Sequence, residues 1–346
     1  MTDKAPSEQR FADAVQAAQQ IEQWSTGAQA LALLTAVREW GWTRFLSTSR
    51  DIRRLAEFTG LTPAQLETVL DALRLFGVVE HDGTEVWLSP TFAALAADDA
   101  WLALPDVLDN AEVSRRLIQG AVPATHGPLS AGDALVVART TGGRPTTVTA
   151  ALFERLLRDL PEWAESLREG NHLDVGSGIA TATLTLSSLF PQMRTTAIEL
   201  VPEVAAEARR RAEQHGLAGR VDVRCMDARD FPAEGTFDSA FWDQPFFPEP
   251  TRTATLAMIR RALRPGALLS VPEEDAEAQD IDERSGALRR LLRAQWRAPR
   301  DRSAAELAAE AEEAGFTVER VAPTSFGRFV LLRRPADVAE PGPARR

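Results

Sequence analysis

The segment HLDVGSGIATATL, residues 172–184, combines residue types that suit a polar ligand. Gly176 and Gly178 follow a predicted strand, where glycine permits the positive φ or the close ligand approach of a tight turn. The helix that follows offers free N–H groups and the positive end of its dipole. Acidic residues end this strand and the next two, at Asp174, Glu199 and Asp227. Such carboxylates suit the hydroxyls of a ribose and the amino group of an adenine, so we expect an adenosine ligand at this sheet edge.

The residues alone leave two alternatives to an adenosine ligand. A dinucleotide needs the third small residue of G-x-G-x-x-G, and Asp174, just before the glycines, would repel its pyrophosphate. That carboxylate suits a ligand with a cationic amino group instead. The second alternative is a structural turn that binds nothing, because a glycine pattern alone is weak evidence.

A second candidate site is the stretch FDSAFWDQPFFPE, residues 237–249. It begins as a buried strand and then presents Asp243 and Gln244 beside the rings of Phe246 and Phe247. A strand that ends in this way predicts the floor of a binding site.

The elements that must position these residues begin at Asn171, where strands and helices alternate. This alternation predicts a parallel, doubly wound sheet with helices on both faces. The last two strands, FTVERVAP and GRFVLLRR, are separated by a short turn and should form an antiparallel hairpin. The predicted fold class is α/β, a Rossmann-like doubly wound sheet with a terminal antiparallel hairpin, preceded by a mainly α winged-helix domain.

The N-terminal region has the outline of a winged helix-turn-helix. The pattern is a short helix, a turn at Thr59-Gly60, a helix opened by Thr62-Pro63, and a hairpin that turns at Asp82-Gly83. A DNA-binding winged helix needs a basic recognition helix and wing, whereas these are acidic. We therefore expect this unit to pack against a second copy or to cover a substrate.

Composition limits the classes of function. The chain of 346 residues is long enough for two domains, and its formal net charge of −11 argues against a polyanion-binding surface. Its single cysteine, Cys225, is typical of a reducing compartment and is predicted to be a small core residue. We find no signal peptide and no apolar run of about 20 residues that would span a bilayer. We predict a cytoplasmic protein with no nucleic-acid, membrane or metal site, since no His/Cys cluster has zinc spacing.

The motif LDVGSGIA, with Glu199, Asp227 and the closing hairpin, resembles the class I S-adenosylmethionine-dependent methyltransferases over residues 171–334. The winged-helix outline narrows the resemblance to small-molecule, O-methyltransferase-like enzymes, over nearly the whole chain. In that family the N-terminal domain builds a homodimer and covers the substrate pocket. The resemblance implies the following cofactor contacts: Asp174, Gly176, Ser177 and Gly178 around the methionine part, Glu199 at the ribose, Leu200, Asp227 and Ala228 at the adenine, and Trp242 and Asp243 near the sulfonium.

With this resemblance the chain is expected to divide into four segments. These are a winged-helix dimerisation domain at 1–97, a helical linker lining the substrate cleft at 98–170, an S-adenosylmethionine-binding methyltransferase domain at 171–336, and a disordered tail at 337–346.

The family's usual general base, a histidine after the fourth strand, is missing here. Phe247 and Pro248 stand about where it would lie. The stretch DQPF resembles the Asn/Asp-Pro-Pro-Tyr/Phe motif of amino-methylating enzymes, with Gln244 in place of the first proline. The catalytic candidates are His126, in the loop between the domains, Asp243 and Glu249. The candidate substrate-binding residues are His126, Phe153, Gln244, Phe246, Phe247 and Trp296.

The predicted function is transfer of the methyl group of S-adenosylmethionine to a small, aromatic or otherwise planar metabolite of secondary metabolism, as in antibiotic biosynthesis. The acceptor atom, O, N or C, stays open because the missing histidine weighs against O-methylation. Two alternatives are a winged-helix regulator that senses a nucleoside-like ligand and a cofactor-binding descendant that does not methylate. An NAD-dependent oxidoreductase is disfavoured by Asp174 and by the terminal hairpin.

Overall fold

The computed structural model describes residues 4–122, 129–273, 282–295 and 301–336. The predicted tail, residues 337–346, lies outside the described residues. The chain divides into two compact units, Met1–Leu108 and Asp109–Arg346. Each unit has a core of buried apolar side chains.

The first unit combines helices with a small sheet. Its elements, with the helix that follows, are α1 (Lys4–Glu39), α2 (Trp42–Phe45), β1 (Arg50–Asp51), α3 (Ile52–Thr59), α4 (Pro63–Leu75), β2 (Val79–His81), β3 (Glu85–Leu88), α5 (Pro90–Ala96) and α6 (Leu104–Ala121). The strands pair antiparallel in the order β1-β3-β2. Thr62 and Gln65 form a capping box at the start of α4, with Pro63 as the first helical residue. The predicted winged-helix outline, α3 and α4 followed by the β2–β3 hairpin, is confirmed.

The second unit alternates strands with helices after three leading helices. Its elements are α7 (Ala131–Gly142), α8 (Thr147–Asp159), α9 (Pro161–Leu167), β4 (Asn171–Val175), α10 (Thr181–Leu189), β5 (Arg194–Glu199), α11 (Pro202–Gln214), β6 (Val221–Cys225), β7 (Phe237–Trp242), α12 (Glu249–Ala262), β8 (Leu263–Pro272), α13 (Glu283–Gln295), α14 (Ala304–Glu313), β9 (Thr317–Thr324) and β10 (Gly327–Arg333).

These strands form one sheet in the order β6-β5-β4-β7-β8-β10-β9. Strands β4 to β8 pair in parallel, and β10 pairs antiparallel with both β8 and β9. The predicted α/β fold class with its terminal hairpin is therefore confirmed. The strand order reverses between β4 and β7, and ligands bind at the carboxyl ends of the strands at such a switch point.

Successive residues of β4 point to opposite faces of the sheet. Leu173 and Val175 belong to the cluster that β7, β8 and α12 also build. His172 and Asp174 lie on the other face and are both buried. The prediction that Cys225 is a core residue is wrong: it is exposed, because it ends β6 at the edge of the sheet.

Within the described parts of the chain, we find no helix with both the length and the apolar character needed to cross a membrane.

Candidate functional site

A cavity of about 430 Å³ lies at the carboxyl ends of β4, β5, β6 and β7. Its position is the switch point of the sheet, and its volume is in the range of small-molecule sites, about 300–1,000 Å³. The sequence-predicted residues that line it are Gly176, Ser177, Gly178, Glu199, Leu200, Asp227, Ala228, Asp243, Phe246 and Phe247.

The glycine loop between β4 and α10 forms one wall of this cavity. The N–H groups of Gly176 and Ser177 both donate to the Ile198 carbonyl at 3.0 Å, which ties the loop to β5. Gly176 and Gly178 have φ values of +79° and +55°, in the left-handed region. A Cβ at Gly176 would lie 2.7 Å from Cε2 of the Phe247 ring, whereas a Cβ at Gly178 would meet nothing within 4 Å. At Gly176 a side chain would clash with the Phe247 ring in addition to straining the backbone. At Gly178 only the positive φ favours glycine.

Backbone strain and an unsatisfied hydroxyl mark the same loop. Ala180, which precedes α10, has φ +61° and is the one non-glycine residue with positive φ in the described chain. Such conformations cost on the order of 1–3 kcal/mol and cluster at functional sites. The Ser177 hydroxyl is buried and has no hydrogen-bond partner among the described residues, so it suits a polar ligand.

Glu199 ends β5, and backbone groups hold its carboxylate. Gly178 N–H donates to Oε2 at 3.1 Å and Val201 N–H to Oε1 at 2.8 Å. Burial raises the pKa of Glu199, and these backbone hydrogen bonds oppose the rise. A carboxylate has about four lone-pair sites, so Glu199 keeps capacity for two ribose hydroxyls.

Asp227 is oriented by a residue that the sequence analysis missed. Its carboxylate accepts from the backbone N–H of Arg229 at 2.9 Å and from the guanidinium at 3.0 and 2.7 Å. The hydrogen bonds from the Arg229 side chain lower the pKa of Asp227. Arg229 itself lines the cavity, so an adenine amino group would share Asp227 with it.

The turn after β7 brings Asp243 and Phe247 to the cavity and leaves Trp242 and Gln244 beneath it. Asp243 N–H donates to the Val175 carbonyl at 3.0 Å, which joins this turn to the end of β4. Trp242 is only 1% exposed and packs edge-on against Phe247, with ring centroids 5.6 Å apart. Gln244 is also buried.

Arg252 of α12 explains why Trp242 and Gln244 are buried. Its guanidinium is fully buried and donates to the backbone carbonyl of Gln244 at 3.0 Å and to the side-chain oxygen at 2.9 Å. It also pairs with Glu310 of α14 at 2.8 and 2.6 Å. The guanidinium carbon lies 4.7 Å from the centroid of the Trp242 ring, a cation–π distance. The two predicted contact residues therefore support the turn.

Asp174 and Phe153 line a second, smaller cavity of about 200 Å³. The Thr183 hydroxyl donates to one oxygen of Asp174, and the other oxygen has no hydrogen-bond partner among the described residues. Burial raises the pKa of Asp174 to about 6. His172, on the same face, lies 2.8 Å through Nδ1 from the Ser239 hydroxyl, and burial lowers the pKa of His172 to about 3, so its imidazole is neutral.

Helix α7 belongs to the segment 98–170 that was predicted to line the substrate cleft, and it forms a wall of the 430 Å³ cavity; none of its residues was predicted individually. The lining residues of α7 are Ala134, Val137, Ala138, Thr141 and Gly142. Arg211 fixes its end by donating to the Gly143 carbonyl at 2.8 Å and by pairing with Glu207 at 2.9 Å. The first four lining positions have the spacing i, i+3, i+4 and i+7. This spacing indicates one face of a helix, so it could have been recognised in the sequence.

The remaining candidates lie elsewhere. The side chain of Glu249 is about half exposed and pairs with Arg302 at 2.5 Å. His126 and Trp296 lie outside the described residues. In the part of the chain that the structure describes, no group of three or more His, Cys, Asp or Glu side chains could hold a metal ion.

Comparisons with known proteins agree with this geometry. Residues 173–266 match a family model described as a methyltransferase domain. A search of curated protein sequences gave no significant match.

Several solved structures share the fold over nearly the whole chain. Mitomycin 7-O-methyltransferase has a TM-score of 0.65 at 21% identity and covers 94% of this chain and 99% of its own. Human N-acetylserotonin methyltransferase, solved in complex with S-adenosylmethionine, has a TM-score of 0.68 at 15% identity. The match covers 93% of this chain and 98% of that protein. N,N-8-amino-8-demethyl-D-riboflavin dimethyltransferase from Streptomyces davawensis has a TM-score of 0.60 at 20% identity. The match covers 92% of this chain and 99% of that protein. At these identities the likeness establishes the fold, and it confirms the predicted class I methyltransferase architecture.

Proposed function

From the premise that residues 173–266 form a methyltransferase domain, we propose that the chain transfers the methyl group of S-adenosylmethionine to a small, aromatic or otherwise planar metabolite. The observation that carries the proposal is the 430 Å³ cavity at the switch point, where the glycine loop, Glu199 and Asp227 meet. When bound, S-adenosylmethionine supplies an electrophilic methyl group on a sulfonium.

The residues of the cavity fit this cofactor from one end to the other. The glycine loop permits close approach of a ligand, and the unsatisfied Ser177 hydroxyl is available to the methionine part. Glu199 is proposed to accept the ribose hydroxyls, with Asp227 and Ala228 at the adenine. The ring of Phe247 lies against the glycine loop, where it excludes water and favours a cation over its face.

The site has no histidine in the turn after β7, where the resemblance would place the general base for the acceptor. Phe247 and Pro248 line the cavity there instead. Asp243 is the sequence-predicted catalytic candidate that lines the cavity, and we propose that it contacts the reacting groups. Among the structural neighbours, one is named for O-methylation of mitomycin and one for dimethylation of an amino-riboflavin. These names support a small metabolite of secondary metabolism and an acceptor that is oxygen or nitrogen.

The segment 98–170 is proposed to line the substrate cleft. Helix α7 lines the larger cavity, and Phe153 of α8 lines the smaller one. We also propose that the enzyme works in the cytoplasm, which its single cysteine supports.

Calorimetric titration with S-adenosylhomocysteine, and separately with NADH, tests the cofactor. We expect the full-length chain to bind S-adenosylhomocysteine and not NADH. Glu199→Gln should weaken binding by roughly tenfold or more, because hydrogen bonds to a charged group contribute about 1.5–3 kcal/mol. Glu203→Gln, an exposed neighbour in the first turn of α11, is the matched control and should bind like the wild type.

Two results would contradict the proposal. Binding of NADH alone would replace the methyltransferase with an oxidoreductase. Absence of binding by either ligand would leave the fold without this function, and a gel shift with duplex DNA at low salt would then test the winged-helix regulator.

We further propose that the chain forms a homodimer through α1. This helix exposes large apolar side chains, among them Phe11 at 73%, Ile21 at 60% and Trp24 at 62%. Apolar exposure on this scale marks an interaction surface. Light scattering coupled to size exclusion should show a dimer that Ile21→Glu/Trp24→Glu converts to a monomer, whereas Gln20→Glu on the same helix leaves it intact. A monomeric wild type would refute the proposal.

A further inference from the structure

Arg229 lies in the larger cavity, beside the acid that is proposed to contact the adenine. Residues 226–229 all line this cavity. The guanidinium of Arg229 meets the carboxylate of Asp227 side-on, because Nε donates to Oδ1 at 3.0 Å and Nη2 donates to Oδ2 at 2.7 Å. The proposed function gives Asp227 a role at the adenine and leaves the guanidinium without one.

The backbone alone is enough to orient Asp227. This residue precedes the short 3₁₀ helix Ala228–Asp230, and its Oδ1 accepts the backbone N–H of Arg229 at 2.9 Å. The ion pair is partly exposed, with 43% of the Arg229 side chain and 28% of the Asp227 side chain accessible. Ion pairs with this exposure contribute little to stability. The guanidinium is therefore available to a ligand in the cavity.

The pair leaves an acceptor and several donors unused. A carboxylate has about four lone-pair sites, and Asp227 accepts three hydrogen bonds, so one site remains on Oδ2. A guanidinium has five N–H donors, and within the described chain Arg229 uses two of them. Oδ2 of Asp227 and the second N–H of Nη2 are therefore neighbours, an acceptor beside a donor.

We propose that Asp227 and Arg229 together recognise the purine, and that the cavity binds purine nucleosides with a carbonyl in place of the adenine amino group as well as adenosine itself. The remaining lone pair of Asp227 accepts an N–H of the adenine amino group, and an N–H of Arg229 donates to the carbonyl oxygen of hypoxanthine. A carboxylate alone would reject hypoxanthine, because two acceptors would face each other without a donor. The inference rests on the proposed function, which places the purine at Asp227.

A second pair in the same unit has the same arrangement outside the cavity. Arg224 follows Asp222 by two residues, and its guanidinium donates to that carboxylate from Nε at 2.7 Å and lies within 2.6 Å of it through Nη2. Neither residue is among those that line the larger cavity in the described chain. Replacing Arg224 thus removes an equivalent exposed ion pair and the same charge without altering the cavity, which makes it the matched control.

Calorimetric titration of the full-length chain with S-adenosylhomocysteine and with S-inosylhomocysteine, its carbonyl counterpart, tests the inference. We expect the two wild-type dissociation constants to lie within about fivefold of each other, since each purine finds a partner. Arg229→Met should weaken S-inosylhomocysteine by roughly tenfold or more and change S-adenosylhomocysteine by less than about threefold, because only the former loses a charged donor. Arg229→Lys, which keeps a charged donor, should bind S-inosylhomocysteine more tightly than Arg229→Met. Arg224→Met should bind both ligands like the wild type.

The ratio of the two dissociation constants decides the outcome. A ratio that is the same in the wild type and in Arg229→Met overturns the inference, and so does a wild type that binds S-adenosylhomocysteine alone. If S-adenosylhomocysteine binding depends on Glu199 while the ratio does not depend on Arg229, the proposed function stands and this inference fails.

Adenosine and inosine, which lack the homocysteine part, separate the two proposals in the other direction. If these nucleosides show the ratio that depends on Arg229 while neither homocysteine compound binds, the purine recognition stands and the proposed methyl transfer fails. If none of the four ligands binds, both proposals are overturned.

Discussion

The close approach of the Phe247 ring to Gly176 makes a quantitative prediction about the glycine loop. Gly176→Ala and Gly178→Ala both force alanine into a left-handed backbone. Only at Gly176 does the new Cβ meet a ring carbon, at 2.7 Å, which is closer than real Cβ contacts come. Both substitutions therefore carry the cost of left-handed backbone, and only Gly176→Ala adds the cost of a steric clash with the Phe247 ring.

The two costs can be separated by magnitude. The left-handed conformation costs an alanine about 1–2 kcal/mol, which is the expected loss for Gly178→Ala. Overpacking adds about 1–3 kcal/mol, so Gly176→Ala should lose roughly 2–5 kcal/mol of unfolding free energy. Removing the ring in Gly176→Ala/Phe247→Ala should recover the overpacking part, a coupling of about 1–3 kcal/mol.

Urea unfolding of the full chain, followed by circular dichroism, measures these differences through the transition midpoints at constant slope. The control is the pair Gly178→Ala and Phe247→Ala, whose effects should add to within about 0.5 kcal/mol because no contact joins them. Equal losses for the two glycine variants, without rescue by Phe247→Ala, would refute the claim that this ring lies against the cofactor loop.

Three further predictions concern buried charges. Arg252→Met removes the closer of the two arginines that pair with Glu310, because Arg302 remains at 3.6 Å. It should therefore cost less than the about 3–5 kcal/mol of a buried charge left unpaired in urea unfolding, and Arg252→Met/Glu310→Met should cost less again. Asp174 has a folded pKa of about 6, above its ordinary 3.8, so wild-type stability relative to Asp174→Asn should fall by about 2 kcal/mol from pH 4 to pH 7. His172 has a folded pKa of about 3, below its ordinary 6.5, so stability relative to His172→Gln should fall by about 4 kcal/mol as pH falls from 7 to 3. A pH-independent difference in either pair would contradict the corresponding burial.

Much of the site could be predicted from the sequence because its residues lie at strand ends and in a glycine turn, where local sequence determines the backbone conformation. Glycines after a buried strand predict a turn into a helix, and acids at successive parallel strand ends must meet at one sheet edge. The strand at β4, the end of β5 at Glu199 and the terminal hairpin follow from such local patterns. Asp174 was harder, although the alternation of β4 places it on the same face as His172 and away from Leu173.

What the sequence did not reveal depends on contacts between distant segments. Nothing in the local sequence around Arg252 shows that its side chain is buried. The partner of Arg252, Glu310, lies 58 residues further along the chain. A buried arginine is recognisable only once its partner has been placed, since an unpaired charge would not be stable there.

The burial of Arg252 changes the meaning of the stretch FDSAFWDQPFFPE. Trp242 and Gln244 looked like contacts for a ligand, but Arg252 holds both of them from beneath. The turn therefore presents Asp243 and Phe247 to the cavity on a rigid base. We propose that a turn with a fixed ring and a carboxylate, and without a histidine, favours an acceptor that needs orientation more than deprotonation, since well-aligned reactants gain about 7–11 kcal/mol from positioning. We propose that a neutral amine meets that description better than a hydroxyl does.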